Sequence, residues 1–300
     1  MALLRAEAEK LSNNQLIAGV IEEIIDREQL FSMLDFEQVN GKAYVYDREN
    51  TIDEGAFIDP VTDTVPEGAA TFTEVTAKLR VLIGDVDVDS FLDETMSDTN
   101  SQMAVQIAAK AKGVGRKFKR TLMIGDSGTN PKEFDGLAQL CAAGQVISAG
   151  TNGGALTLSL LDELLDKVTL GADAIIMRPG TLRAHRALLR AMGGASVENV
   201  VEGEYGPLPA HNNVPILLND FIPNNETQGA DPNTTSIYAV RFNMADGLHG
   251  LFGGPQAGIR YEDVGIVQNK DARRNRLKWY CGLALKSTLS LARIQGITNI

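Results

Sequence analysis

Ser101-Gln-Met-Ala-Val-Gln-Ile-Ala-Ala-Lys-Ala-Lys-Gly-Val-Gly-Arg-Lys-Phe-Lys-Arg-Thr-Leu-Met-Ile124 is the longest helical signal in the chain. Met103, Ile107, Ala111, Val114, Phe118 and Leu122 recur at steps of four, four, three, four and four, which lines them along one face of a helix. The spacing predicts a helix from Asp98 to Ile124. Its other faces carry Lys110, Lys112, Arg116, Lys117, Lys119 and Arg120, with no acidic residue between Gln102 and Ile124. Such a helix is expected near negative charge, whether acidic protein surface or nucleic acid. Gly113 and Gly115 interrupt it at a cost of about 1 kcal/mol each relative to Ala, so a bend is expected there.

Towards the N-terminus, Asp85-Val-Asp-Val-Asp89 ends an alternating stretch that starts at Thr71 and runs through Phe72, Val75, Ala77, Leu79 and Val81 to Val88. Asn40-Gly41 leads into another, Lys42-Ala-Tyr-Val-Tyr46. Alternation predicts two long antiparallel strands. The segment between them, Arg48 to Ala70, is polar and acidic, with Pro60 and Pro66 and few residues able to build a core. A loop of that length is unusual inside a compact domain: either it is disordered, or it is an arm that becomes ordered against another subunit. Further upstream, Ser12-Asn-Asn-Gln15 has the form of a capping box before apolar pairs at a four-residue step, predicting a helix over Asn13 to Met33.

Towards the C-terminus, a turn at Gly125 to Pro131 gives way to an αβα pattern. A helix is predicted over Leu158 to Leu170, a buried strand over Ala172 to Met177, a break at Pro179-Gly180 and a second helix over Leu182 to Met192. Val214 to Phe221 and Ser236 to Phe242 read as strands. Alternation returns in Ile259 to Val264 and Leu277 to Leu285.

The chain has 300 residues and a net charge of −11. An acidic balance argues against a dedicated nucleic-acid binder. The charge is uneven: residues 1–100 hold 7 Lys and Arg against 22 Asp and Glu, a net −15, which leaves the remaining 200 at +4. Complementary regions of this kind can attract each other between copies of one chain, and an unevenly solvated surface has the same composition. The opening residues lack a basic region followed by an apolar run, so neither membrane insertion nor secretion is expected. Cys141 and Cys281 are too few and too far apart for a disulfide scaffold, which suits a reducing cytoplasm.

The candidate chemical motifs have structural explanations. Gly125-Asp-Ser-Gly128 matches the surroundings of a protease nucleophile, yet His185, His211 and His249 all follow Ser127 and the motif continues Thr-Asn; a helix-ending turn with Gly in a left-handed conformation explains it. Asp85-Val-Asp-Val-Asp89 starts like a calcium loop, but Ser90 and Met96 stand where Gly and Glu belong. A strand with Val86 and Val88 inside and the aspartates outside explains it better. His185 falls on the apolar face of its helix with no second histidine at ligand spacing, as a core histidine would. Gly113-Val-Gly115 is no phosphate loop. The basic run Lys270, Arg273, Arg274, Arg276 and Lys278 reads as a solvated or interface face. No catalytic residue, no metal and no cofactor is expected.

The order of these elements, with particular strings, resembles the major capsid proteins of tailed bacteriophages, whose α+β shell fold (the Johnson fold) is shared with encapsulins. The strings are Asp85-Val-Asp-Val-Asp-Ser-Phe-Leu92 leading into Ser101 to Lys112, Arg116-Lys-Phe-Lys-Arg120 followed by Gly125-Asp126 and Phe134-Asp-Gly-Leu137, and Ala172-Asp-Ala-Ile-Ile-Met-Arg-Pro179. The resemblance implies an N-terminal arm and helix (1–39), an extended E-loop hairpin (40–82), a peripheral domain with a long spine helix (83–150), an axial α/β domain (151–257) and return strands of the peripheral domain (258–300). It implies self-assembly into hexamers and pentamers of an icosahedral head assembled in the host cytoplasm, with scaffolding, portal and decoration proteins as partners and non-specific contact with packaged DNA. No membrane is involved. Some relatives cross-link an E-loop lysine, but no lysine stands between Asn50 and Lys78. With no long scaffolding segment in the chain, a separate scaffolding protein is implied. The alternative is an encapsulin-type compartment; a hydrolase using Ser127 and a tail or minor virion protein are further rivals.

Overall fold

The computed structural model describes residues 29–41, 43–59, 64–65, 67–95, 101–191, 199–203, 206–255 and 257–299. Of the helix expected over Asn13 to Met33, only its end, α1 (Gln29–Met33), lies among them; the remainder falls outside the described residues.

Two sheets form the body. In the first, β14 (Ala272–Leu285) is the longest strand. It pairs along one edge with β4 (Arg80–Asp89), and along the other with β12 (Leu248–Gly253) and β13 (Arg260–Ile266). β1 (Phe36–Val39) then runs parallel to β12. The second sheet joins β5 (Val146–Ser148), β15 (Leu291–Ile297), β11 (Asp231–Val240), β6 (Ala174–Met177), β9 (Val214–Leu218), β8 (Gly206–His211) and β7 (Asn199–Gly203) in that order, with β10 (Glu226–Gln228) on β11. Segments therefore cross between the sheets. β12 leaves the expected axial segment to pair with β14, and β15 leaves the expected return strands to pair with β5 and β11. Alternation identifies a strand but is blind to its neighbour.

The long helix is α3 (Gln102–Ile124), capped by Ser101, whose Oγ accepts from the Ala104 amide. It runs unbroken through Gly113 and Gly115. Val114, Phe118 and Leu122 are buried against the first sheet, whereas Met103, Ile107 and Ala111 are half-buried. Phe118 is the centre: its ring stacks on Trp279 of β14 at 4.4 Å and meets Phe31, Phe36 and Phe134 at 5.6, 6.1 and 5.4 Å. Lys119, expected on a charged face, is only 3% exposed, with Nζ 5.0 Å from the Phe31 ring centroid. Its stem lies along the apolar surface while α1 covers its head.

The second core lies between the other sheet and α5 (Leu158–Lys167), with Leu161 and Leu164 against Ile175, Ile216, Ile237 and Ile294. The helix after β6 begins earlier than expected. α6 spans Pro179–Ala191, because Pro at a first helical position sacrifices no hydrogen bond and already has helical φ; Pro179-Gly180 starts the helix instead of breaking the chain. Short helices α2 (Ser90–Thr95) and α4 (Leu137–Leu140) flank α3. Among the described residues, no helix is long and apolar enough to cross a membrane.

Candidate assembly surface

The feature that stands off this body is a hairpin of β2 (Ala43–Thr51) and β3 (Thr71–Lys78), in register from Ala43↔Lys78 to Thr51↔Thr71. The single long strand expected over Thr71 to Val88 is thus two. It divides at Leu79, where β3 leaves its partner β2 and β4 joins β14. Every described residue of 52–59, 64–65 and 67–70 is exposed. The exposed side chains include Ile52 at 66%, Val65 at 72% and Phe72 at 66%, and Val45 and Phe57 are exposed as well. Isolated apolar residues on a surface are ordinary, but several large ones along one hairpin mark a candidate contact surface.

The hairpin is seated on the body at its root. Tyr46 Oη donates to the Leu285 carbonyl at 2.6 Å, Arg48 Nε to the Lys286 carbonyl at 2.7 Å, and Arg48 Nη2 to Leu285 as well. Tyr44, Tyr46, Ala77 and Leu79 pack on a small cluster of Val39, Leu251 and Ala284. Between β3, β14 and the turn after α3 lies a cavity of about 220 Å³ lined by Lys78, Arg80, Ser127 and Asp135 among others.

The turn at Gly125 closes α3: the Gly125 amide bonds to the Thr121 carbonyl at 2.7 Å. Contrary to expectation, Gly125 is not left-handed, having φ −57°. Glycine is required for space, since a Cβ there would lie 2.3 Å from the Phe134 carbonyl oxygen and 2.5 Å from that of Thr121. Asp126 accepts from the Gly128 amide and the Thr129 hydroxyl, bonds that hold its carboxyl below the usual range, and the Ser127 amide donates to Asp135.

The histidines lie elsewhere. His185 is a buried core residue as expected, but the fold supplies the neighbour that sequence spacing did not: His185 Nε2 is 3.4 Å from His211 Nδ1, and His211 Nε2 is 2.9 Å from Asp162. His211 arrives from β8, and linear spacing carries no signal of that approach. Among the described residues, no group of three His, Cys, Asp or Glu is placed to hold a metal.

Asp85 and Asp87 do belong to a strand, with Val86 and Val88 buried on its other face. Arg276 binds Asp85 through two bonds of 2.7 and 2.9 Å, and Arg274 binds Asp87 through two of 2.6 and 2.7 Å. These forks are the reason both carboxyls lie below the ordinary carboxylate value. Arg273 pairs with Asp263, and Lys278 with Glu262 at 2.5 Å. Arg273, Arg274, Arg276 and Lys278 of the basic run are consequently matched within their own sheet. The run offers less to a neighbouring subunit than composition implies.

No family model matches the chain, and none of the curated proteins compared with it does. Solved structures do match end to end. The SrpI encapsulin complex of Synechococcus elongatus superposes with a TM-score of 0.75 over 99% of this chain and 97% of that one, at 20% identity. The chain has the shell fold. The capsid of the native GTA particle matches with a TM-score of 0.67 at 14% identity, covering 97% and 98% of the two chains. The capsid of Myoviridae phage XM1 matches at 0.63 and 12%, covering 99% of each. The α+β architecture expected from sequence is therefore the one observed.

Proposed function

We propose that this chain is a self-assembling shell protein, the major capsid protein of a tailed bacteriophage, and that its role is structural and not enzymatic. The observation that carries the proposal is the β2–β3 hairpin, which holds exposed apolar and acidic side chains away from the body, where no described part of the same chain covers them. Closed symmetric assemblies cover such surfaces with neighbouring copies. End-to-end likeness to capsid structures supports the same reading. On it, copies form the hexamers and pentamers of a phage head, with scaffolding, portal and decoration proteins as partners. The exposed cations of α3, Lys117 and Arg120, would make non-specific contact with packaged double-stranded DNA.

One observation favours a second reading, an encapsulin compartment: the encapsulin match has a TM-score of 0.75 against 0.67 and 0.63 for the two capsids. Negative-stain electron microscopy of the protein expressed alone and with a scaffolding protein tests both. Closed shells or capsomers are expected. Nuclease-protected DNA inside particles formed in the infected host identifies a capsid, and a protein cargo an encapsulin. A stable monomer under all conditions overturns the proposal.

A further inference from the structure

At the root of the hairpin a histidine is sealed in beside a carboxylate. His249, on β12, is 0% exposed, and its Nε2 lies 3.4 Å from Glu37 Oε2 on β1. Neither ring nitrogen makes a hydrogen bond of normal geometry, and neither does Glu37 Oε2, although all three atoms are shielded from water. Tyr44 of β2 meets the imidazole edge to face, with centroids 5.8 Å apart, and Lys286 Nζ stands 5.5 Å from the Tyr44 ring centroid. Tyr46 and Arg48 bond to the carbonyls of Leu285 and Lys286 at the same place. One leg of the hairpin follows Gly41, whose φ of 137° few side chains tolerate, and the other leaves at Leu79.

We infer that His249 and Glu37 form an acid-sensitive latch that sets whether the hairpin root stays seated on the body. Neutral imidazole packs edge to face against Tyr44 and leaves only uncharged nitrogens poorly paired, a smaller cost than a buried charge. A protonated ring would put a charge where both of its nitrogens are shut off from water, beside a partly exposed Glu37 carboxylate that is poorly aligned to accept from it, which is expensive. The groups facing it are Glu37 and Asp35 at β1, Tyr44 from β2, Lys286 after β14 and the Gly247 carbonyl before β12. Burial and then Lys286 hold the His249 pKa below its ordinary 6.5, against the opposing pull of Glu37, Gly247 and Asp35.

The seated root therefore binds fewer protons than an open one, in which His249 meets water. Seating is fully present above the ordinary pKa and weakens as pH falls from there through the lowered value, by up to about tenfold in the seated-to-open ratio per pH unit. The latch is a property of one chain, so it stands or falls apart from the shell reading.

Hydrogen exchange of the purified full-length chain, corrected for intrinsic rates and followed by mass spectrometry from pH ~7.5 to ~5, tests it. Peptides of β2 and β3 near the root should lose protection on acidification while β11 keeps its own. His249→Gln should abolish that pH response. Glu37→Gln, which removes the stabilising counter-charge, should enlarge it, and Lys286→Met, which removes the opposing cation, should shrink it. Equal protection across the pH range in the wild type overturns the latch, as does an undiminished response in His249→Gln. A loss shared by β11 marks general unfolding and overturns it too. If His249→Gln does not fold, the opposite signs of the other two variants decide, and a common sign counts against the latch.

Discussion

Phe118 is where the long helix and the longest strand meet, and four aromatic rings surround it. Truncating a fully buried aromatic removes its transfer energy and leaves a cavity, so Phe118→Ala should lower unfolding free energy by about 3–5 kcal/mol in denaturant titration. A loss below about 1 kcal/mol would show that the surrounding rings collapse into the space. Asp85 and Asp87 make a different kind of contribution. Their carboxyls sit below the ordinary value of 3.8 because Arg276 and Arg274 bind the ionised forms. The folded state thus disfavours their protonation relative to the unfolded chain, so the contribution is present above that value and is lost as pH falls below it. Melting temperature should drop in that acid range, and the drop should shrink in Asp85→Asn with Asp87→Asn. The alternating valines announced the strand in the sequence; the arginines that answer it stand 191 positions away in the case of Asp85.

At the scale of elements, α3 carries two glycines whose added Cβ would meet nothing within 4 Å. Gly113→Ala and Gly115→Ala should each stabilise the unassembled chain by about 1 kcal/mol, the helix-propensity difference, in thermal or chemical unfolding. Gly125→Ala should do the reverse, because two carbonyl oxygens occupy the Cβ position. If the chain is a capsid protein, two glycines at such cost in a continuous helix fit a change of curvature during shell expansion. On the capsid reading, the double alanine variant should expand poorly from a rounded procapsid even though its subunit is more stable; normal expansion would separate the glycines from that role. The helix was legible because its apolar residues keep a helical period over many turns. The burial of Lys119 was not, since α1 supplies the cover from outside the helix.

For the whole molecule, the hairpin tip and the body are separable. The described residues of 52–70 contribute no side chain to any of the buried clusters. Replacing them with a short turn should leave the subunit folded, with an unchanged melting transition, and on the shell reading should eliminate closed shells in electron micrographs and in sedimentation. Shells that still form would place the main contacts between copies on the sheets or on α3. The projecting arm was readable from its polarity and length. Its root was not, because Tyr46 and Arg48 are held by backbone carbonyls of Leu285 and Lys286, groups that every residue possesses and no side-chain pattern advertises.

The sequence by itself determined the elements: the helix through Phe118, the alternating strands, the acidic arm and their order along the chain. These follow from local geometry, which repeats every 3.6 residues in a helix and every two in a strand. Tertiary structure alone decided which elements meet. It drew β15 into the second sheet, β12 into the first, His211 to His185 and His249 to Glu37. Strand pairing and burial depend on which edges and faces come together in space, and residues distant along the chain carry no periodic signal of the partners they will find.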